Sequence, residues 1–242
     1  MSEKIAILMA AGFGSRMKPI TNTVPKPLVE VRGTPLIETL INALQENGIS
    51  KIYIVTGYLK DKFCYLSRKY SNIVIIENKE YKEKNNISSL KALGKVLGSA
   101  DCYICEADLY LQDVGIFSKD HEKSIYFGKR IDRQIEDWGF QVENERIKKI
   151  EKSRENTYKM AGISWWKKED AQKIREGIEE FYAKVGHEVL FWDEVVGSKL
   201  SELYVGIEEI AEESVIEVDT VEELCELDKK YKNYLMKKEE NI

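Results

Sequence analysis

The sequence predicts an α/β fold, with a mixed, mainly parallel sheet flanked by helices and continued by an antiparallel second half. Three observations carry this. Up to about residue 120, short and continuously apolar runs alternate with helical patterns, as in a parallel sheet buried on both faces. Beyond that point the apolar runs follow one another through short polar connections, the pattern of antiparallel strands. All four prolines fall within the first 35 residues, so no proline-rich linker divides the chain. It is expected to form a single domain, 1–242, built from halves 1–120 and 121–242.

The elements follow in order. "KIAILMA" is a first strand. "TPLIETLINALQENG" is a helix, with Thr34 expected as N-cap, Pro35 in the first turn and Gly48 as the stop. Leu36, Ile37, Leu40, Ile41 and Leu44 form its apolar face. "KIYIVTGY" is a strand, "KDKFCYLSRKY" a helix, "NIVIIEN" a strand, "NISSLKALGKVLG" a helix and "DCYICEAD" a strand. In the second half "KSIYFGKRI", "WGFQVEN", "RIKKIEK" and "YKMAGISWW" read as strands. "KKEDAQKIREGIEEFYAKVG" is a strong helix, "FWDEVVGSKL" a short one, and "LYVGIEEI" and "VIEVD" are strands. "TVEELCELDKKYKNYLMKKEE" is a last helix, opened by a Thr220–Glu223 capping box.

A formal charge of −5 argues against a nucleic-acid partner. No apolar run reaches the roughly 20 residues of a membrane span, and the N-terminus lacks a basic region ahead of a long apolar one. A cytoplasmic protein without membrane insertion is expected; oligomeric state is not legible. Cys102 and Cys105 form a CxxC, but on a strand positions three apart face opposite ways, and no histidine or second pair completes a metal set. Both are expected to be buried structural residues.

In open α/β sheets ligands bind beyond the carboxyl ends of the strands. The loop after the first strand, "MAAGFGSRMKPITNTVPKPL", lies there and contains no acid. Gly12 and Gly14 let backbone N–H groups approach an anion. Ser15 adds a hydroxyl, Arg16 a fork matched to phosphate oxygens, and Lys26 a cation between two prolines. The P-loop pattern is absent, and Met17 stands where a dinucleotide fingerprint needs its third glycine.

The string Gly12-x-Gly14-Ser15-Arg16-x-x-Pro19-x-Thr21-x-x-x-Pro25-Lys26 resembles the signature of sugar-phosphate-type nucleotidyltransferases. That resemblance implies a Rossmann-like fold and transfer of a nucleoside monophosphate from an NTP to a phosphate, with release of pyrophosphate. By it, Arg16 and Lys26 bind the triphosphate, and Ala11 and Gly12 lie near the base and sugar. Such a reaction joins two anions, so carboxylate-held magnesium is expected. Asp108 ends an apolar strand on the ligand side. Asp193 is the candidate second carboxylate, with Glu106 and Glu194 as close alternatives.

"GFGSR", "VPKPLVEVRGTPLIE", "TGYLKDKF", "NNISSL", "EADLYL", "DWGF", "AGISWW" and "LFWDEVV" together resemble the bacterial CTP:phosphocholine cytidylyltransferases, over nearly the whole chain. This implies that the first half binds the nucleotide, with Asn86, Ser88 and Ser89 near the cytosine, and that Asp108 and Asp193 hold magnesium. The second half binds the acceptor, with Trp138, Trp165 and Trp192 as its candidate lining. A quaternary ammonium has no N–H donors, so aromatic faces and nearby acids suit it; Trp138 and Trp192 each adjoin an aspartate. Trp166, pointing opposite to Trp165, is expected to serve packing. Lys152, in Glu151-Lys152-Ser153, keeps half of the Glu-Lys-Pro mark of sugar-1-phosphate enzymes and is expected at the acceptor phosphate.

The expected partners are CTP and a small zwitterionic acceptor: phosphocholine, giving CDP-choline, then 2-aminoethylphosphonate, then a sugar phosphate. A non-catalytic nucleotide-binding regulatory module would be marked by loss of Arg16, Lys26 or Asp108. All three are present.

Overall fold

The computed structural model describes residues 3–134 and 136–239. Strand β1 (Lys4–Ala10) is central, with β4 (Lys51–Thr56) and β6 (Asp101–Glu106) parallel on either side of it and β5 (Ile73–Glu77) parallel beyond β4. These runs are apolar throughout because both faces are covered. Ala6, Leu8 and Ala10 pack with Leu40, Ile41 and Leu44 of helix α1 (Leu36–Glu46). Ile5 and Ile7 pack on the other face with Leu90 of α3 (Ile87–Leu93) and Ile174 and Ile178 of α4 (Lys168–Tyr182). Cys102 and Cys105 are free and fall in these two different clusters, as their three-residue spacing requires.

Three helical expectations are corrected. Helix α1 begins at Leu36 with Pro35 as its N-cap; Thr34 and Pro35 instead form β3, paired with β2 (Glu30–Val31). Gly48, at φ +77°, ends the helical segment as expected. The segment after β4 shortens to a 3₁₀ turn over Lys60–Phe63 and a four-residue helix α2 (Leu66–Lys69). The last helix is two: α6 (Val221–Leu227) and α7 (Lys232–Glu239), broken at Asp228, whose carboxylate accepts the backbone N–H groups of Arg32 and Lys230.

The second half extends the same sheet. Strand β8 (Ser124–Arg130) and β6 flank β11 (Tyr158–Trp166), both antiparallel to it; β9 (Asp137–Glu143) and β10 (Arg146–Ser153) form a hairpin; β12 (Val205–Glu209) joins β8 in parallel. The order is β5-β4-β1-β6-β11-β8-β12-β10-β9, and a further β11–β9 pairing curls the far end back on itself. Helix α5 (Trp192–Ser198) covers β10.

A small sheet completes the site. β7 (Leu109–Leu111) pairs with β13 (Val215–Glu217), placing Glu217 opposite Leu109. Val218, Val221 and Leu224 bury against Met17, Ile20 and Val29, so the glycine-rich loop is packed directly on the β13–α6 connection.

Candidate active site

The carboxyl ends of β1 and β6, the opening loop, β13 and strands β8 to β11 enclose a cleft of about 1150 Å³. Gly14 is held at φ +61°, and a Cβ there would come within 2.9 Å of Lys26 Cβ, so the loop and Lys26 fit together only without a side chain. Thr21 fixes the turn by donating its hydroxyl to the Gly14 carbonyl at 2.9 Å. On the opposite wall the register of β11 against β8 shifts between Met160 and Ser164. Gly162 sits in that irregularity at φ +73°, and a Cβ there would lie 3.0 Å from Glu106 Oε2.

Lys26 is the electrostatic centre. Its ammonium donates to Asp108 Oδ2 and Asp219 Oδ1, each at 2.6 Å, and Arg16 donates to the same Asp219 oxygen at 2.7 Å. Burial alone would lower the Lys26 pKa, but Asp108 and Asp219 outweigh it and hold the ammonium above its ordinary range. Asp219 is the converse: burial opposes ionisation, while Lys26 and Arg16 keep its carboxyl below the ordinary range.

Oxygens of Asp108, Glu217 and Asp219 lie within 4.8 Å of one another, a set that could hold a cation. Burial, then the charges of Asp108 and Asp219, pushes Glu217 up to about 7. Asp108 Oδ1 is buried with no hydrogen-bond partner. A crowded set of hard oxygen donors, one orphaned and one reluctant to ionise, fits a divalent metal ion. Glu106, which lines the same cleft, is also held above its ordinary range, first by burial and then by Asp108, Glu217 and Asp193.

The nucleotidyl transferase family model matches residues 5–143, the stretch that supplies the loop, β6 and Asp108. The chain belongs to the nucleotidyl transferase family. It is 44% identical over 227 residues to the 2-aminoethylphosphonate cytidylyltransferase of Lancefieldella rimae, spanning 93% of this chain and 92% of that protein. It is 35% identical over 230 residues to the choline-phosphate cytidylyltransferase of Streptococcus pneumoniae, spanning 94% and 98%. The solved structure of the S. pneumoniae CTP:phosphocholine cytidylyltransferase aligns with a TM-score of 0.86 at 33% identity, over 94% of this chain and 99% of that one. The inositol-1-phosphate CTP transferase of T. maritima shares the fold, with a TM-score of 0.76 at 19% identity.

Of the residues the sequence singles out, the nucleotidyltransferase brings Ala11, Gly12, Gly14, Ser15, Arg16, Lys26, Asn86, Ser89, Asp108, Trp138, Lys152 and Asp193 to the cleft wall. Three others lie elsewhere. Ser88 turns into the core, donating to the Asn85 carbonyl and accepting from Asn78. Trp165 is buried on the α1 face against Tyr103, because it lies on the stretch of β11 paired with Tyr103 and Ile125, past the residues 159–162 that line the cleft. Trp192 is packed beneath the wall, stacked on Tyr126 and edge-on to Trp166. Trp138 shares one wall of the cleft with Phe191, ring centroids 5.4 Å apart.

Asp193 lines the same cleft as Asp108 and stands apart from the Asp108–Glu217–Asp219 cluster. Its Oδ1 accepts from the buried Tyr126 hydroxyl at 2.8 Å, and burial pushes its carboxyl up to about 7. Glu194, the other alternative, closes a cap by accepting from the Phe191 backbone N–H. Glu217, Asp219, Tyr126 and Phe191 escaped the sequence reading. The available signal was "VIEVD", where strand alternation puts Glu217 and Asp219 on one side and Ile216 and Val218 on the other.

Proposed function

We propose that this nucleotidyltransferase transfers CMP from CTP to the phosphonate oxygen of 2-aminoethylphosphonate, releasing pyrophosphate. The observation that carries the reading is the acceptor wall. Of the three tryptophans that suggested a choline cage, only Trp138 lines the cleft, while the buried carboxylate of Asp193 does so beside Phe191. A primary ammonium needs hydrogen-bond acceptors, which Asp193 supplies; a quaternary ammonium needs ring faces on several sides. The 44% identity to a 2-aminoethylphosphonate enzyme supports the same ordering. The Trp138–Phe191 corner favours phosphocholine as the second reading.

In this reading the backbone of Ala11, Gly12 and Gly14 lies along the nucleotide. Asn86, whose side-chain oxygen already accepts the Trp192 backbone N–H, turns its amide N–H groups to the cytosine with Ser89 alongside. Arg16 and Lys26 meet the β- and γ-phosphates, and the triphosphate takes over the donors that Asp219 and Asp108 now hold. Magnesium on Asp108, Glu217 and Asp219 would supply positive charge at the α-phosphate. The acceptor oxygen forms a bond to the α-phosphorus as the bond to the bridging oxygen breaks, and pyrophosphate leaves with that electron pair. A phosphonate dianion is already nucleophilic near neutral pH, so no side chain has to remove a proton.

Pyrophosphate release with CTP, magnesium and a panel of acceptors tests this. 2-Aminoethylphosphonate should give the highest kcat/KM. Higher kcat/KM with phosphocholine would select the second reading, and turnover with neither acceptor would refute both.

A further inference from the structure

We propose that Lys129 and Lys159, facing each other across β8 and β11, form the seat for the acceptor's phosphonate or phosphate dianion. Nothing in the motif pattern points to either lysine. They are directly opposed in the antiparallel register, so both side chains leave the same face of the sheet, and both line the cleft. Like charges in directly opposed positions destabilise a sheet pair, and an anion between them reverses that effect.

Their present partners are displaceable. Lys129 donates to the Val215 carbonyl at 2.6 Å and stands 3.6 Å from Glu212, which is 79% exposed. Lys159 pairs with Asp137 at 2.9 Å, and that carboxylate is 40% exposed. Both carboxylates are open to water, which limits what either ion pair contributes. Burial, reinforced by Lys159, holds the Lys129 ammonium below its ordinary range despite Glu212, so a bound dianion would relieve an existing strain on its charge.

The placement suits the chemistry. Val215, which takes the Lys129 bond, begins β13, the strand that carries Glu217. Lys129, Lys159 and Glu217 line the same cleft, and Glu217 is two residues along β13 from the carbonyl that holds Lys129. A dianion on the lysine pair therefore stands beside the carboxylate set, where a nucleophilic oxygen must be to reach the α-phosphorus. Lys152, on β10 opposite Trp138, lines the same wall and would meet the outer oxygens.

This inference rests on the proposed nucleotidyl transfer to a phosphorus-containing acceptor, and its test separates the two. The first arm measures steady-state kinetics of Lys129→Met and Lys159→Met with CTP and 2-aminoethylphosphonate. Losing one hydrogen bond to a charged group should raise the acceptor KM about 10- to 100-fold, with the KM for CTP within about two-fold, and the arginine variants should restore most of the loss. Because Lys129→Met also removes the tie to Val215, Lys159→Met, which breaks no backbone contact, is the decisive variant. The second arm follows methylphosphonate binding to the nucleotide-free protein by phosphorus NMR. Wild type should bind it and both methionine variants should bind at least about tenfold more weakly. An unchanged acceptor KM together with unchanged methylphosphonate binding in Lys159→Met overturns the seat, as does an equal loss for CTP and acceptor. If wild type transfers CMP to no acceptor yet loses methylphosphonate binding in the variants, the proposed function fails and the anion seat stands.

Discussion

Replacing Lys26 with methionine keeps the stem and removes the only cation among the described residues that touches both Asp108 and Asp219. Breaking a buried ion pair by deleting one partner costs about 3–5 kcal/mol. Here Asp108 and Asp219 retain 24% and 16% exposure against 9% for Lys26, so water recovers part of the loss. That leaves an expected cost of about 2–3 kcal/mol. In a domain of this size each kcal/mol moves the Tm by roughly 2–4 °C, giving a fall of about 4–12 °C in EDTA. Magnesium should then restore the variant more than it stabilises wild type, since no ammonium competes for the Asp108–Glu217–Asp219 oxygens. Differential scanning calorimetry in EDTA and in millimolar magnesium reads both effects. An unchanged Tm in EDTA, or equal magnesium shifts in the two proteins, would refute the picture of Lys26 as the cation that holds the acidic floor together.

Two further predictions concern the tryptophans. Trp138→Ala should raise the acceptor KM by roughly tenfold and leave the KM for CTP unchanged. Trp165→Ala should cost about 3–5 kcal/mol of stability and leave both KM values alone; exchanged behaviour of the two variants in kinetics and urea denaturation would contradict their placement. The third prediction is a pH dependence. Burial raises the Asp193 carboxyl to about 7 against an opposing hydrogen bond from Tyr126, so the folded state favours the protonated acid. That contribution to stability is complete below the ordinary carboxylate range and is lost as pH rises through about 7. Asp193→Asn cannot lose it, so between about pH 4 and about pH 8 wild type should lose a few kcal/mol relative to the variant. Parallel stability curves in urea would contradict this.

What was legible in the sequence is what is local. The loop from Gly12 to Lys26 carries its motif within one stretch, and Asp108 follows directly from an apolar strand whose carboxyl end must face the ligand side. The strands and most helices were readable from apolar periodicity alone, down to the opposite faces taken by Cys102 and Cys105. The second and third carboxylates were not, because Glu217 reaches Asp108 only through the pairing of β13 with β7, about a hundred residues earlier. Asp193 was legible as a cleft carboxylate by position, but its partner was not, because the Tyr126 hydroxyl that engages it comes from β8. The tryptophans failed in a related way. Alternation says that Trp165 and Trp166 point oppositely, but not that both lie on the stretch of β11 paired with β6, past the residues that border the cleft. The Thr34 shift arose because Thr34 and Pro35 pair with β2 before the helix begins.

The carboxylate set itself is tested most directly by manganese titration followed by electron paramagnetic resonance, with wild type, Glu217→Gln, Asp219→Asn and Asp193→Asn. Glu217→Gln and Asp219→Asn should each weaken manganese binding by more than roughly tenfold, while Asp193→Asn binds as wild type does. Wild-type binding in Glu217→Gln and Asp219→Asn, with loss in Asp193→Asn, would show that the metal lies on Asp193 and not on the strand that closes against Lys26.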